Sequence, residues 1–500
     1  MTFPIIIAFF FCAVAFIWYR VRKVLSYWSD RNVPVVDPKF PLGNLGDVGK
    51  KHLGCVLQDI YLKLKNKAHF AGFYFLLSPQ IIPLSSELIK NILIKDFQYF
   101  SDRKIFHNEK DDPLSAHLFA IRGEKWRILR QKLTPTFTSS KMKMMFPLVI
   151  AEAKNLQKYI EKHINDGPME MKSVCVRFTA DVIGSAAFGL ECRALVNEDS
   201  EILRVGKHFF SFNTFMSRLK FFLEFLYEDL AKALGFRFNH IVLEEFFMRV
   251  IKETIEMRES GLVDKNDFMK HLLEIRDSDK DGKIFKNFNE LAAQAFAIFF
   301  GGFETSSNTM EWCLCNLAQH PDIQDRVRTE VREVLKKWNG ELTYEALREL
   351  TYLRQCIDET LRLHPPAVVL FRDCVKEYKI PNTNQTIEKG KLIFIPVMGI
   401  HMDPEYYPNP EIYDPDRFTP ENVKKRDPAT YLPFGDGPRN CIGMRFGLMQ
   451  VTVGLAYILN NFRLTLNSKT ATPLELDPTD VITNVKGGAW FDIEDLSKNE

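Results

Sequence analysis

The first apolar stretch of the chain has no period. Phe3 to Tyr19 is a nearly unbroken hydrophobic run of 17 residues, followed by Arg20, Arg22 and Lys23 and preceded by no Lys or Arg. Such a run predicts a helix apolar on every face, at the short end of what spans a bilayer. The flanking cations would keep the rest of the chain on the cytosolic side, and a cleaved leader would need a basic stretch before the run. Residues 1–22 are therefore expected to be a membrane anchor. Residues 23–48 carry Pro34, Pro38, Pro41 and Gly43 and are expected to form a basic, proline-rich linker, leaving 49–500 as the body.

From about Gln58 to Gly340 the apolar positions recur mostly at helical spacing. Trp126, Leu129 and Leu133 share one face of a predicted helix over Glu124–Phe137, with Arg127, Arg130 and Lys132 on others. Asn289–His320 predicts a longer helix, apolar almost all round in its first half, that should cross the interior. Tyr352–Leu363 predicts a helix stopped by His364-Pro365-Pro366. Short strand-like runs follow at Leu392–Pro396, Phe462–Leu466 and Gly488–Ile493, with a last helix at Gly443–Asn460. The class predicted is mainly α with a minor β part.

Composition narrows this little. Apolar residues are 46%, charged residues 26% and the net charge +2, which fits neither a disordered chain nor a strongly basic nucleic-acid binder. The 42 Phe exceed what a generic core needs. Nine cysteines without a CxxC pair suggest a reducing compartment, not a disulfide framework or zinc site. Three short motifs are decoys. Asp277–Gly282 starts like a calcium loop but has Phe288 where the twelfth-position carboxylate belongs. Gly435–Asn440 starts like G-x-G-x-x-G but ends on Asn. The sequon at Asn384 would be silent in a cytosolic body.

Phe434-Gly435-Asp436-Gly437-Pro438-Arg439-Asn440-Cys441-Ile442-Gly443 is different. Two glycines and a proline make a tight loop leading to a helix expected to begin near Cys441. Its amides and positive end would favour a thiolate, either a nucleophile or an axial ligand to haem iron. Gly443 would let a flat group approach. The segment resembles the haem-binding signature FxxGxRxCxG of the cytochromes P450, the haem-thiolate monooxygenases. Four more of that family's motifs follow its order: Trp126 to Arg130 (WxxxR), Gly301-Gly302-Phe303-Glu304-Thr305-Ser306 (oxygen activation), Glu359 to Arg362 (ExxR) and Pro415 to Phe418 (PxRF). The wording around them resembles insect microsomal members of the family-six xenobiotic type.

The resemblance implies the cytochrome P450 fold, a single large domain around haem b (iron protoporphyrin IX). Cys441 would be the proximal iron ligand, shielded by Phe434, with Gly302 and Gly443 lying close to the cofactor. Trp126, Arg130, Arg372 and Arg439 would hold its propionates. Glu359, Arg362 and Arg417 would form a buried network locking the haem-side loop. Gly301, Gly302, Glu304 and Thr305 would interrupt and bend the long helix. There Thr305 would donate a hydrogen bond to dioxygen and Glu304 would relay protons.

No flavin or nucleotide motif is present, so electrons from NADPH would arrive through a separate NADPH–cytochrome P450 reductase, with cytochrome b5 as a candidate second donor. Arg127, Lys132, Lys424, Lys425, Arg426 and Arg439 are candidates for a basic docking patch. The substrate pocket would draw on Phe106–Phe119, Phe209–Phe225, Phe296–Thr305 and Val368–Phe371, with Phe119, Phe303 and Val369 as individual contacts. The expected activity is oxygenation of lipophilic foreign compounds at the endoplasmic-reticulum membrane, with the catalytic body on the cytosolic face. A hormone or fatty-acid hydroxylase and a non-catalytic haem-thiolate sensor are the alternatives. The intact Glu304-Thr305 pair speaks against the sensor.

Overall fold

A computed structural model describes residues 2–189, 192–197, 199–206, 220, 223–279, 282, 284–285 and 287–496. Phe209, Phe210, Phe212, Phe215, Phe221 and Phe222 of the expected pocket lie outside the described residues, as do Lys280 and Asp281 of the acidic loop.

The apolar run forms helix α1, Thr2–Leu25. Phe3, Phe9, Phe11, Phe16 and Trp18 on it are all exposed. The following segment is laid along the first sheet. Trp28 is buried against Gly72, Gly72 N donates to Pro34 O at 2.8 Å, and Tyr74 OH donates to Leu25 O at 2.8 Å. That sheet pairs β1 (Phe70–Phe75) antiparallel with β2 (Ser78–Pro83), with further strands from late in the chain. These are β4 (Leu370–Asp373) and β7 (Leu392–Ile395), giving the order β1-β2-β7-β4. A second sheet has the order β3 (Met169–Glu170), β9 (Trp490–Asp495), β8 (Phe462–Leu466). A two-stranded pair, β5 (Tyr378–Lys379) and β6 (Thr386–Ile387), completes the β part.

The helices that place the site are α2 (Gly123–Leu133), α3 (Met171–Ile183), α4 (Phe288–Gln319), α5 (Thr351–Leu363) and α6 (Met444–Asn461). Helix α4 is capped by Asn287, whose side chain accepts from Glu290 N at 3.1 Å. It runs 32 residues through the body. Between Leu291 and Leu317 its exposed positions are Gly301 and Thr305, four apart on one face.

The expected interruption at the glycine pair does not occur, and α4 stays one unbroken α-helix. Neighbouring helices hold it. A side chain at Gly302 would collide with Ile183 of α3, and Gln450 of α6 donates to Gly302 O at 2.9 Å and to Ser306 Oγ at 2.5 Å. Gly454 of α6 likewise meets Met310 and Phe178, so α3, α4 and α6 approach closely only because glycine stands at the crossings. All nine cysteines are free.

Candidate active site

Cys441 ends a loop shaped by two left-handed glycines, Gly435 (φ +66°) and Gly437 (φ +69°). A Cβ at Gly437 would run into the backbone carbonyl of Leu93, which cannot yield. Cys441 N donates to Phe434 O at 2.8 Å, closing the loop under the sulfur. Cys441 is accessible yet deeply enclosed, as at the wall of an internal cleft. The helix begins at Met444, one residue after the predicted start of the Gly443–Asn460 helix and three residues past Cys441, so one amide, that of Gly443, reaches the sulfur. Burial outweighs that amide and the nearby Arg130 and Arg103, and pushes the thiol up. The loop alone thus does not favour a thiolate, which corrects the sequence expectation. A coordinated cation would, because it deprotonates a ligating thiol outright.

Beside the loop is a cluster of guanidiniums. Arg439 is 1% exposed, lies 3.8 Å over the Trp126 ring, and donates to Ser101 O (2.8 Å), Ile121 O (3.0 Å) and Asp102 Oδ1 (3.2 Å). Arg130 clamps Asn440 twice, Nη1 to the carbonyl at 2.8 Å and Nη2 to Oδ1 at 2.7 Å. Arg372, on β4, donates to Phe371 O at 2.8 Å. Arg103 donates to Arg439 O at 2.5 Å. Burial and mutual repulsion pull Arg103, Arg372 and Arg439 each down to about 9. Arg372 Nε and Arg439 Nη1 are buried without a hydrogen-bond partner. Cations packed this way with one carboxylate contact among them, from Asp102, call for anions. Arg439, being buried, is no part of a docking surface, which corrects that expectation.

On α4, Thr305 Oγ1 donates to Gly301 O at 2.7 Å. Glu304 Oε1 pairs with Lys172 Nζ at 2.8 Å. Gly301 has open space where a Cβ would stand, whereas Gly302 faces Ile183. Gly301 is thus the more open of the pair, and the absence of a side chain at Gly302 serves helix packing. Phe303 is corrected as a pocket contact. Two positions from Gly301, it turns to the far side of the helix, is 3% exposed and stacks on Phe299 at 5.5 Å. Phe119 is half-exposed under the Arg103 guanidinium at 4.2 Å. Val369 is buried in the core beside the first sheet.

Glu359, Arg362 and Arg417 come together at the far end of α5. Arg362 binds Glu359 through both Nε and Nη2 at 2.7 Å, and both side chains are fully buried. Arg417 Nε lies 3.4 Å from Glu359 Oε1, and Asp414 N donates to the same oxygen at 3.0 Å. Arg362 also donates to His401 O at 3.0 Å.

The model of the cytochrome P450 family matches residues 34–490. The chain belongs to the cytochrome P450 family. It is 42% identical to cytochrome P450 6a2 of Drosophila melanogaster over 95% of this chain and 96% of that one. It is 41% identical to cytochrome P450 6A1 of Musca domestica over 96% of each. This P450 is a monooxygenase that uses a haem-iron cofactor, dioxygen and electrons from a redox partner. The residues fit such a cofactor: the orphaned donors of Arg372 and Arg439 want carboxylates, and the enclosed Cys441 sulfur wants a cation.

Three residues beside these groups carry no signal in the sequence. Arg103 sits in Asp102-Arg103-Lys104, which reads as a solvated charge run. Lys172 looked like one more helix-surface lysine. His117, buried between Phe119 and Phe296 with Nδ1 unpartnered, is pulled down to about 4 by burial and so stays neutral.

Proposed function

We propose that this P450 is anchored in the endoplasmic-reticulum membrane by residues 1–22, with its catalytic body, 49–500, on the cytosolic face and 23–48 as the connecting segment. It oxygenates lipophilic foreign compounds. Electrons come from NADPH through a membrane-bound flavin reductase, with cytochrome b5 as a second donor. Haem b, when bound, supplies the oxygen-activating iron, and the thiolate of Cys441 pushes electron density toward it.

The chain's own groups do the rest. Arg103, Arg130, Arg372 and Arg439, with the Trp126 ring stacked on Arg439, neutralise and orient the two propionates. Phe434 and the glycine turns hold the sulfur and keep water from it. Gly301 leaves room on the opposite face. Thr305, whose hydroxyl proton rests on Gly301 O, can release it toward the cleft, and Glu304 refills it. Exposed Arg127, Lys132, Lys424 and Lys425, with part-buried Arg426, offer an acidic reductase a basic surface.

The observation that carries this reading is the pairing of an accessible, enclosed thiol with a cluster of buried guanidiniums that shares the Asp102 carboxylate and keeps orphaned donors on Arg372 and Arg439. The deciding experiment is the reduced carbon monoxide difference spectrum of Cys441→His. Loss of the red-shifted Soret band supports the ligand, and a retained band refutes it. Substrate-induced Soret shifts across insecticides, plant toxins and steroids test the substrate class. A response confined to steroids would overturn the foreign-compound assignment.

A further inference from the structure

The corner of the first sheet where α1 leaves the body carries apolar groups that the core does not use. Strands β1 and β2 are joined by a two-residue turn, Leu76-Leu77, since Phe75 pairs with Ser78. Turns of this length favour Asn-Gly or a leading Gly, because their backbone is left-handed. Leu76 nevertheless takes φ +55°, a conformation that a bulky residue resists. Both leucines are half-buried at the hairpin's tip. A tip that faced only water would be better served by glycine or asparagine.

A second turn is fixed against the first. Lys39 N donates to Gly43 O at 2.8 Å and Gly43 N to Lys39 O at 2.7 Å, closing a loop with Phe40-Pro41-Leu42 at its tip. A Cβ on Gly43 would run into Tyr74 O and Leu76 O. Asn44 N donates to Tyr74 O at 2.9 Å, and Tyr74 N donates to Asn44 Oδ1 at 2.7 Å. The loop therefore cannot fold its tip inward, and Phe40 stays 66% and Leu42 40% exposed.

Helix α1 ends at the same corner. Tyr74, whose backbone holds the loop, donates its hydroxyl to Leu25 O at 2.8 Å and accepts from Trp28 N at 3.3 Å. Tyr27 OH donates to Glu388 Oε2 at 2.7 Å, and its ring lies 4.1 Å from Lys391 Nζ, which donates to Pro79 O of β2 at 3.3 Å. The end of α1 is thus bolted to the hairpin. Tyr19, the last residue of the apolar run, is six residues before Leu25, about 9 Å along a helix. The headgroup layer, about 5–7 Å on each side, and the usual tilt of a spanning helix close that gap.

We propose that Phe40, Leu42, Leu76 and Leu77 form a ledge that rests in the interfacial layer of the bilayer, so that the body meets the membrane at two places. This second contact rests on the reading of α1 as a membrane anchor. The occupant is lipid because the anchor holds the corner at the membrane surface. The first sheet also carries Arg372 on β4, so anchor and ledge together set the tilt of the cofactor site to the membrane plane.

The test uses the full-length, haem-loaded enzyme at one copy per lipid nanodisc, with phosphatidylcholine brominated near the top of its acyl chains as a contact quencher of tryptophan. Emission added by Phe40→Trp should be quenched several-fold more than emission added by Val423→Trp, an exposed position beside Lys424 on the surface offered to the reductase. Trp18→Phe should remove quenched emission, which reports the anchor alone. If Trp18→Phe does so but the Phe40→Trp emission is not quenched, the ledge is wrong and the anchor stands. If neither responds, both fall. Shielding of the Phe40→Trp emission from aqueous iodide only when two copies share a disc would make the ledge a contact between copies and refute lipid. In oriented bilayers, polarised absorption of the haem should show one defined tilt. The double variant Phe40→Asp/Leu42→Asp should broaden it, with thermal midpoint and reduced carbon monoxide spectrum unchanged. An unaltered tilt in that variant overturns the ledge.

Discussion

Thr305 Oγ1 hydrogen-bonds back to the carbonyl of Gly301 at 2.7 Å, and these two residues are the exposed positions in the buried length of α4. The bond fixes the position of the hydroxyl beside Gly301. It also occupies the hydroxyl proton, so donation into the cleft requires that this bond open. Thr305→Ala should cost no more than ~1 kcal/mol, the net worth of one such bond. It should still raise peroxide relative to product. Thr305→Ser should restore coupling, and assaying both products checks this.

Gln450 ties α6, the helix that follows the Cys441 loop, to that same turn through Gly302 O and Ser306 Oγ. Gln450→Leu leaves buried polar groups without partners, a penalty of about 1–3 kcal/mol. A lower thermal midpoint with an unchanged Soret position is the expected result.

Gly437 tolerates no side chain, since its φ is +69° and Leu93 O occupies the space. Gly437→Ala should yield protein that accumulates with little haem, measured as the Soret-to-protein absorbance ratio.

Arg362→Ala strands the fully buried Glu359, and breaking such a pair costs about 3–5 kcal/mol. The variant should fail to retain haem on expression. Arg417→Ala leaves the bidentate Arg362–Glu359 pair intact, removing a 3.4 Å contact to Glu359 and a hydrogen bond to Asn409 O, and should retain more haem than Arg362→Ala.

His401 is neutral in the fold. Its Nε2 accepts from Leu432 N at 2.8 Å, Nδ1 faces Arg362 O at 3.0 Å, and burial with the nearby Arg362 charge pulls it down to about 3 from an ordinary 6.5. Below pH 6.5 the unfolded chain binds a proton there that the native one refuses. The contribution is complete above that pH and is lost as pH falls toward 3, at about 1.4 kcal/mol per pH unit. Denaturant midpoints between pH 7 and 5 should fall with acid, and His401→Asn should flatten that slope by one proton.

Much of this was legible in the sequence because it is local. An apolar run of 17 residues, a helical period and a proline stop are read from neighbours in the chain, and the Cys441 loop is ten consecutive residues. Glu359 and Arg362 needed only a spacing of three. Tertiary contact decided what spacing cannot. Ile183 and Gln450 come from distant helices, and they make Gly302 a packing glycine, leave Gly301 the more open of the pair and keep α4 unbroken. The half turn of helix between Gly301 and Phe303 sent the aromatic ring to the core. Arg103 joined Arg439, and Lys172 joined Glu304, across 336 and 132 positions of chain. A charge in isolation reads as solvated. Only folding shows that these have left water, and burial gives a guanidinium cluster its chemistry.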